Sequence, residues 1–300
     1  MCTVLVGAAG LTSCDHRSST SVLQALTGIA SANAATPATT ARRPDKPNIL
    51  LIVADDLGYS DLSIYGGEIP TPNIDTLARG GMILDTFYAS LTCSPTRSML
   101  LSGTDNHLAG LGVMGAPTRA EHKESPGYVG YLNFRVASLA EVLSDAGYNT
   151  YMAGKWHLGS SQDKVPTGPH QRGFKNAFAS FDGAAHLGGW DWRGPQDSDY
   201  YDNDNIVHVG KDWYTTRDYT KKMIGYIEAD RAEHKPFFAY MAYTAPHWPL
   251  QAPDESIAKF KGWYDKGYEA VYATRFAHQK ELGILPPGAE PIDNSRFNPR

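Results

Sequence analysis

The sequence predicts an α/β fold, a mixed sheet flanked by helices, and three observations carry the prediction. Asn48–Ala54 is a short continuous apolar run, as a strand buried on both faces requires. Capped helix patterns alternate with further runs of that kind along the chain. Three runs lead into ionisable residues, Asp55-Asp56, Lys155 with His157, and His247. Open α/β sheets bind ligands at the C-terminal ends of their strands, so this recurrence places one site at one sheet edge.

The elements follow in order. Residues 1–47 are read as a signal-like or disordered extension and linker, and residues 48–300 as the N-terminal part of a larger folded domain. Leu11-Thr12-Ser13-Cys14 has the form of a lipoprotein box, and Ala32-Asn33-Ala34 that of a processing site behind the apolar stretch Val22–Ala30. Either implies export, to a periplasmic, secreted or lipid-anchored location. Met1–Val6 carries no charge, however, so a disordered extension on a cytoplasmic protein is the alternative. Ala35–Pro47, rich in Thr and Pro, reads as linker.

After the Asn48–Ala54 strand, Thr71-Pro72-Asn73 opens a helix with a capping hydroxyl and a first-turn proline, and Gly80-Gly81 closes it. Ile83–Ala89 is predicted as a second strand. Pro95 suits a helix's first position with Ser94 as cap, which sets Cys93 beside a helix N-terminus. Ser138–Ala146 reads as a helix stopped by Gly147, and Tyr148–Ala153 as the strand after it. Gly183–Asp212 has no periodicity and reads either as a substrate-shaping loop or as an irregular surface excursion. Thr216–Arg231 is a helix, Phe237–Ala242 a strand, and Tyr243–Pro249 a proline-stiffened loop.

Composition narrows the function classes. The 300 residues are 42% hydrophobic and 20% charged, ordinary for a globular domain. A net charge of -5 without a basic block gives no footprint for nucleic acid. No apolar run reaches the roughly 18 residues of a membrane-spanning helix.

The chemistry gathers at a few positions. Cys93 is the only cysteine beyond the first forty residues, so no disulfide framework exists for it to join. Asp55 and Asp56, at a strand's end, supply two hard oxygen donors, which suit Ca²⁺ or Mg²⁺ better than a softer ion. Arg97 lies four residues beyond Cys93, on the same helical face.

Cys93-Ser94-Pro95-Thr96-Arg97, followed by Leu100-Leu101-Ser102-Gly103, resembles the signature of the type I, formylglycine-dependent sulfatases. Leu91-Thr92 and Gly103–His107 bring the likeness nearest to bacterial arylsulfatases. Gly147–His157 resembles the second signature of the family. The resemblance implies an alkaline-phosphatase/sulfatase-like mixed sheet and a sulfuric ester hydrolase acting on a small-molecule sulfate ester. It implies that a maturation enzyme converts Cys93 to formylglycine (3-oxoalanine), whose hydrate attacks sulfur. It further implies a metal site of Asp55, Asp56 and residue 93, holding Ca²⁺, with Mg²⁺ the lesser alternative. Lys155 would hold a sulfate oxygen, and His157 would take a proton from the hydrate. Arg97 would fix the hydrate, and His247 would touch sulfate and protonate the leaving oxygen. His107 lies near the signature without an implied role.

The resemblance also expects an Asp-Asn pair and a second lysine beyond His247. Asp293-Asn294 lacks the flanking pattern, and the role is not transferred to it. The chain thus reads as the N-terminal part of a longer enzyme, with an incomplete sheet. Two other readings stay open: a phosphate or phosphonate monoester hydrolase of the same superfamily, and a catalytically incomplete fragment that binds sulfated ligands.

Overall fold

A computed structural model of the chain describes residues 3–7 and 46–292, with interruptions at 116–119, 123, 161–165, 184–185, 189, 192–193 and 198–199. The elements in order are β1 (Thr3–Gly7), β2 (Ile49–Asp55), α1 (Pro72–Gly80), α2 (Cys93–Ser102), α3 (Leu139–Asp145), β3 (Asn149–Lys155) and β4 (Asn176–Ser180). There follow β5 (Trp190–Asp191), β6 (Gly194–Asp197), β7 (Tyr200–Asp202), β8 (Asn205–Val207), α4 (Thr215–Ala229), β9 (Phe237–Pro246), α5 (Asp254–Ala258) and α6 (Tyr268–Glu281). The main sheet runs β1-β2-β9-β3-β4-β7-β8, and β5 and β6 form a separate pair. Strands β2, β9, β3 and β4 are parallel, while β1 and β7 run antiparallel to them and β8 pairs antiparallel with β7 at the margin. The sheet is mixed and flanked by helices, as the sequence predicts.

Strand alternation builds two cores. Phe238, Tyr240 and Ala242 of β9 face one side, packing with Leu51, Val53, Met152, Trp156 and Phe174. Ala239 and Met241 face the other, with Tyr151, Ala153, Phe178 and the α4 residues Tyr219 and Met223. A period of two in a strand covered on both faces requires this split. Helix α3 enters through a complete capping box: Ser138 Oγ accepts from Glu141 N, and a Glu141 carboxylate oxygen accepts from Ser138 N. Gly147, at φ +86°, turns the chain from α3 into β3.

Three local expectations are corrected. Ile83–Ala89 is not a strand. A strand needs a partner edge, and the free edge of β2 pairs with β1 instead. Ile83, Leu84, Phe87 and Tyr88 of that segment are exposed. Helix α2 starts at Cys93, with Thr92 before it, rather than after a Ser94 cap. Pro95 is tolerated there because first-turn N–H groups have no intrahelical acceptor to lose. The Thr71 hydroxyl does not cap α1 but donates to Asp75 Oδ1 at 3.0 Å. The aperiodic 183–212 stretch contributes β7 and β8 to the sheet margin. Cys14, Ala32–Ala34 and Asp293-Asn294 lie outside the described residues.

Candidate active site

The parallel strands β2, β9 and β3 bring their C-terminal ends side by side, and the ionisable residues of the sequence collect there. Asp55 is the last residue of β2, where pairing with β9 shifts register from Ala54–Tyr243 to Asp55–Pro246. Its carboxylate is fully buried between two cations. Lys155 Nζ, at the end of β3, donates to Asp55 Oδ2 at 2.6 Å. Arg97 Nη2, from α2, lies 3.4 Å from Asp55 Oδ1. Arg97 Nη1 also donates to the Lys155 carbonyl at 2.9 Å and to Tyr240 Oη of β9 at 3.1 Å. One guanidinium thus ties α2 to the ends of β2 and β3 and to the interior of β9.

Close approach of the strands permits this. A Cβ on Gly154, beside Lys155, would stand 1.9 Å from the Ala242 carbonyl oxygen. Gly154 also has φ +122°, a conformation other residues rarely adopt. Asp56 and His157, one and two residues past their strands, have φ +60° and +54°. Left-handed backbone at non-glycine residues is uncommon and costs energy, and here both instances turn a strand end into the site.

Cys93 is buried at the N-terminus of α2, with Sγ 4.0 Å from Asp56 Oδ1. The partial positive charge of the helix end and the cations Arg97 and Lys155 favour an anion at this position. His247 follows β9 between two cis prolyl bonds, Ala245–Pro246 and Trp248–Pro249. Its Nε2 lies 3.4 Å from Asp56 Oδ2, and its Nδ1 meets the Trp248 carbonyl. Ligand atoms of Asp55, Cys93 and His247 all lie within 4.8 Å of one another.

The two histidines are tuned in opposite directions. Burial holds His157 below the usual imidazole value, helped by Lys155 and Arg97 and opposed by the Cys93 sulfur. His157 Nδ1 is buried without a hydrogen-bond partner among the described residues. His247 is held above its usual value, first by its contact with the Cys93 sulfur, against partial burial and Lys155. Both histidines adjoin residue 93, one favoured as the neutral ring and the other favoured as the protonated one, a combination suited to moving protons.

Sequence reasoning missed His186. It is buried, and its Nε2 lies 2.7 Å from the His247 carbonyl. A carbonyl only accepts, so Nε2 carries the proton. Nδ1 lies 3.2 Å from Thr244 Oγ1 and 3.5 Å from Thr215 Oγ1. Burial lowers the His186 pKa and keeps the ring neutral. Gln251 Oε1 accepts from His186 N at 2.9 Å, joining the aperiodic stretch to the His247 loop. No local spacing signals this residue, whose partners lie far along the chain. His107 pairs with Asp105 and packs edge-on to Tyr128.

Comparison with known proteins follows this geometry. A family model described as Sulfatase matches residues 47–283. An uncharacterised sulfatase of Schizosaccharomyces pombe is 44% identical over 259 residues, covering 82% of this chain and 46% of that protein. The arylsulfatase of Klebsiella aerogenes is 45% identical over 249 residues, covering 82% and 52%. Among solved structures, Ps i-CgsB superposes with a TM-score of 0.62 at 28% identity, covering 80% of this chain and 54% of that one. BT4656, in complex with its substrate D-glucosamine-2-N,6-O-disulfate, gives a TM-score of 0.56 at 26% identity, covering 73% and 38%. The chain spans about half the length of the curated relatives it matches.

Proposed function

The chain belongs to the sulfatase family, and from that premise we propose that it carries the nucleophilic half of an arylsulfatase-type sulfuric ester hydrolase. The observation that carries this reading is the convergence of Asp55, Cys93 and His247 within 4.8 Å, with Lys155 bonded to Asp55. Cys93, converted by a maturation enzyme to formylglycine, supplies the nucleophile. One hydroxyl of the aldehyde hydrate attacks sulfur, and loss of the proton from the other then releases sulfate.

The chain's own residues have distinct work. Lys155 presents its ammonium to a non-bridging sulfate oxygen, where charge grows in the transition state. Arg97, fixed by Tyr240 and the Lys155 carbonyl, holds residue 93 and offsets its negative charge. His157, neutral through burial, accepts the proton of the second hydroxyl. His247, protonated, gives a proton to the departing alcohol or phenol oxygen. His186 positions His247 by donating to its carbonyl.

Asp55 and Asp56 fit part of a calcium shell: hard carboxylates, two donor residues toward the six to eight oxygens calcium takes. When bound, such an ion polarises a sulfate oxygen and acidifies the hydrate. The substrate named for BT4656 is a sulfated sugar, and a small sulfate ester of an alcohol or phenol is the class inferred here. Export is the location inferred for the protein; fractionation of the expressing cells is expected to find it outside the cytoplasm.

The test compares nitrophenyl sulfate with nitrophenyl phosphate, using protein co-expressed with a maturation enzyme and supplied with calcium. Sulfate turnover that exceeds phosphate turnover and vanishes in Cys93→Ala is expected. Preference for the phosphate, or full activity in Cys93→Ala, overturns the reading.

A further inference from the structure

The donors that converge at the site are not those of a calcium centre while residue 93 is a thiol. Asp55 offers oxygen, Cys93 sulfur and His247 nitrogen, all within 4.8 Å. Sulfur and imidazole are poor ligands for Ca²⁺, whereas a mixed S, N and O set suits Zn²⁺. We propose that the unconverted protein binds a zinc-class divalent cation through Asp55, Cys93 and His247, and that conversion of Cys93 changes the metal preference of the site. The second half of this statement rests on the formylglycine reading; the first stands without it.

Several features of the site favour the thiol-bound state. Tetrahedral zinc with bonds of about 2.0–2.3 Å needs donors roughly 3.3–3.8 Å apart, so these three, within 4.8 Å of one another, close by about 1.5 Å at most. His247 stands on the loop beyond β9 and is half-buried, which leaves it room for that shift. The Trp248 carbonyl faces His247 Nδ1, fixing the ring proton there and leaving Nε2 to the metal, as an outer-shell carbonyl does for a ligating histidine.

The fourth position has a neighbour as well. Asp56 lies 3.4 Å from His247 Nε2 and 4.0 Å from Cys93 Sγ, and His157, whose buried Nδ1 makes no hydrogen bond among the described residues, adjoins the same sulfur. With the thiol ionised and His247 neutral, as a ligating imidazole must be, three anions (Asp55, Asp56 and residue 93) face two cations (Arg97 and Lys155), so the bound divalent ion meets net negative charge. Binding releases the thiol proton, and any proton on His247 Nε2, to solvent. Oxidation to the aldehyde, for which the maturation enzyme must draw on an external oxidant such as dioxygen, releases the sulfur as sulfide, leaves oxygen at position 93 and so withdraws the donor that selects zinc.

The test uses the full chain made without a maturation enzyme, in a Cys2→Ser, Cys14→Ser background that leaves Cys93 as the only thiol. Cobalt(II) serves as the spectroscopic probe and zinc as its competitor. One equivalent of cobalt is expected to bind with a thiolate-to-metal charge-transfer band and the intense visible bands of a tetrahedral site. Zinc is expected to displace it, and excess calcium is not. Cys93→Ser is expected to abolish the charge-transfer band and weaken zinc binding by about 100-fold or more, beyond what loss of an outer-shell partner costs. His247→Ala, which alters a half-buried loop residue, keeps the charge-transfer band and weakens binding if the triad is right. An octahedral cobalt spectrum without thiolate charge transfer, or unchanged zinc affinity in Cys93→Ser or His247→Ala, overturns the proposal. None of these outcomes depends on sulfate turnover by converted protein, so failure here is distinguishable from failure of the sulfatase reading.

Discussion

Asp55 is the side chain on which most of the site hangs. Its buried carboxylate holds Lys155 at 2.6 Å and faces Arg97 at 3.4 Å. Breaking a buried pair leaves an uncompensated charge in a low-dielectric setting, which costs more than the pair itself contributes. Lys155→Met is therefore expected to destabilise the protein by about 3 kcal/mol and, in converted protein, to lower kcat by about 100-fold or more. Thermal melts and steady-state kinetics check the two effects separately. The histidines set the pH response. The His157 pKa is lowered from 6.5, so its ring stays neutral until the pH falls below 6.5, and protonating it below that point destabilises the fold. The His247 pKa is raised from 6.5, so it keeps its proton above that value and loses it as the pH rises further. Ring-proton NMR is expected to show His157 titrating below 6.5 and His247 above it. Coincident titration of the two would remove the acid and base assignments. Asp55, Asp56, Cys93, Arg97, Lys155 and His157 were legible because short motifs carry them. His186 was not, since its contacts with Thr215, Thr244 and His247 exist only after β9 and α4 have packed.

Elements were legible where local chemistry and tertiary packing agree. The capping box at Ser138 and the left-handed Gly147 bracket α3 without help from the rest of the fold. Strand β9 alternates between two cores, so its apolar run had to be a strand covered on both faces. Ile83–Ala89 has the same local character, yet the strand edge it would need at β2 is taken by β1; pairing is a property of two segments and one segment does not reveal it. Gly154 shows how a backbone approach is written into β3. Gly154→Ala is expected to destabilise by more than about 1 kcal/mol, because Ala combines an unfavourable positive φ with a backbone clash. Phe238→Ala, a cavity in the first core, is expected to cost about 3–5 kcal/mol. Denaturant unfolding monitored by Trp fluorescence measures both; a neutral Gly154→Ala would mean that β3 and β9 do not approach as described.

At the scale of the molecule, α6 is clasped to the loop that follows the site. Arg275 bonds Asp61 at 2.7 Å and Glu68 at 3.0 Å, and Asp61 Oδ2 accepts from Gly58 N at 2.8 Å, two residues past Asp56. The Arg275 hydrogen bonds lower the Glu68 pKa from 4.5 to about 2. That stabilisation is present above 4.5 and is lost as the pH falls toward about 2. Arg275→Ala is expected to cost about 2 kcal/mol at neutral pH and to flatten the acid side of the stability profile; an unchanged acid profile would show the clasp to be idle. The packing of α5 and α6 was not legible in sequence, because the clasp joins residues about 200 positions apart. The sheet edge that gathers Asp55, Lys155 and His247 was, because each ends or directly follows its own strand. Everything proposed for catalysis depends on an aldehyde at position 93. Mass spectrometry of the peptide spanning Cys93, run on the same preparations assayed for sulfate-ester turnover, tests this most directly. Turnover is expected to rise in proportion to the fraction of peptide that has lost one sulfur and two hydrogens and gained one oxygen. A preparation that turns over sulfate ester while its peptide carries only the thiol, or an aldehyde-rich one that does not turn it over, would contradict it.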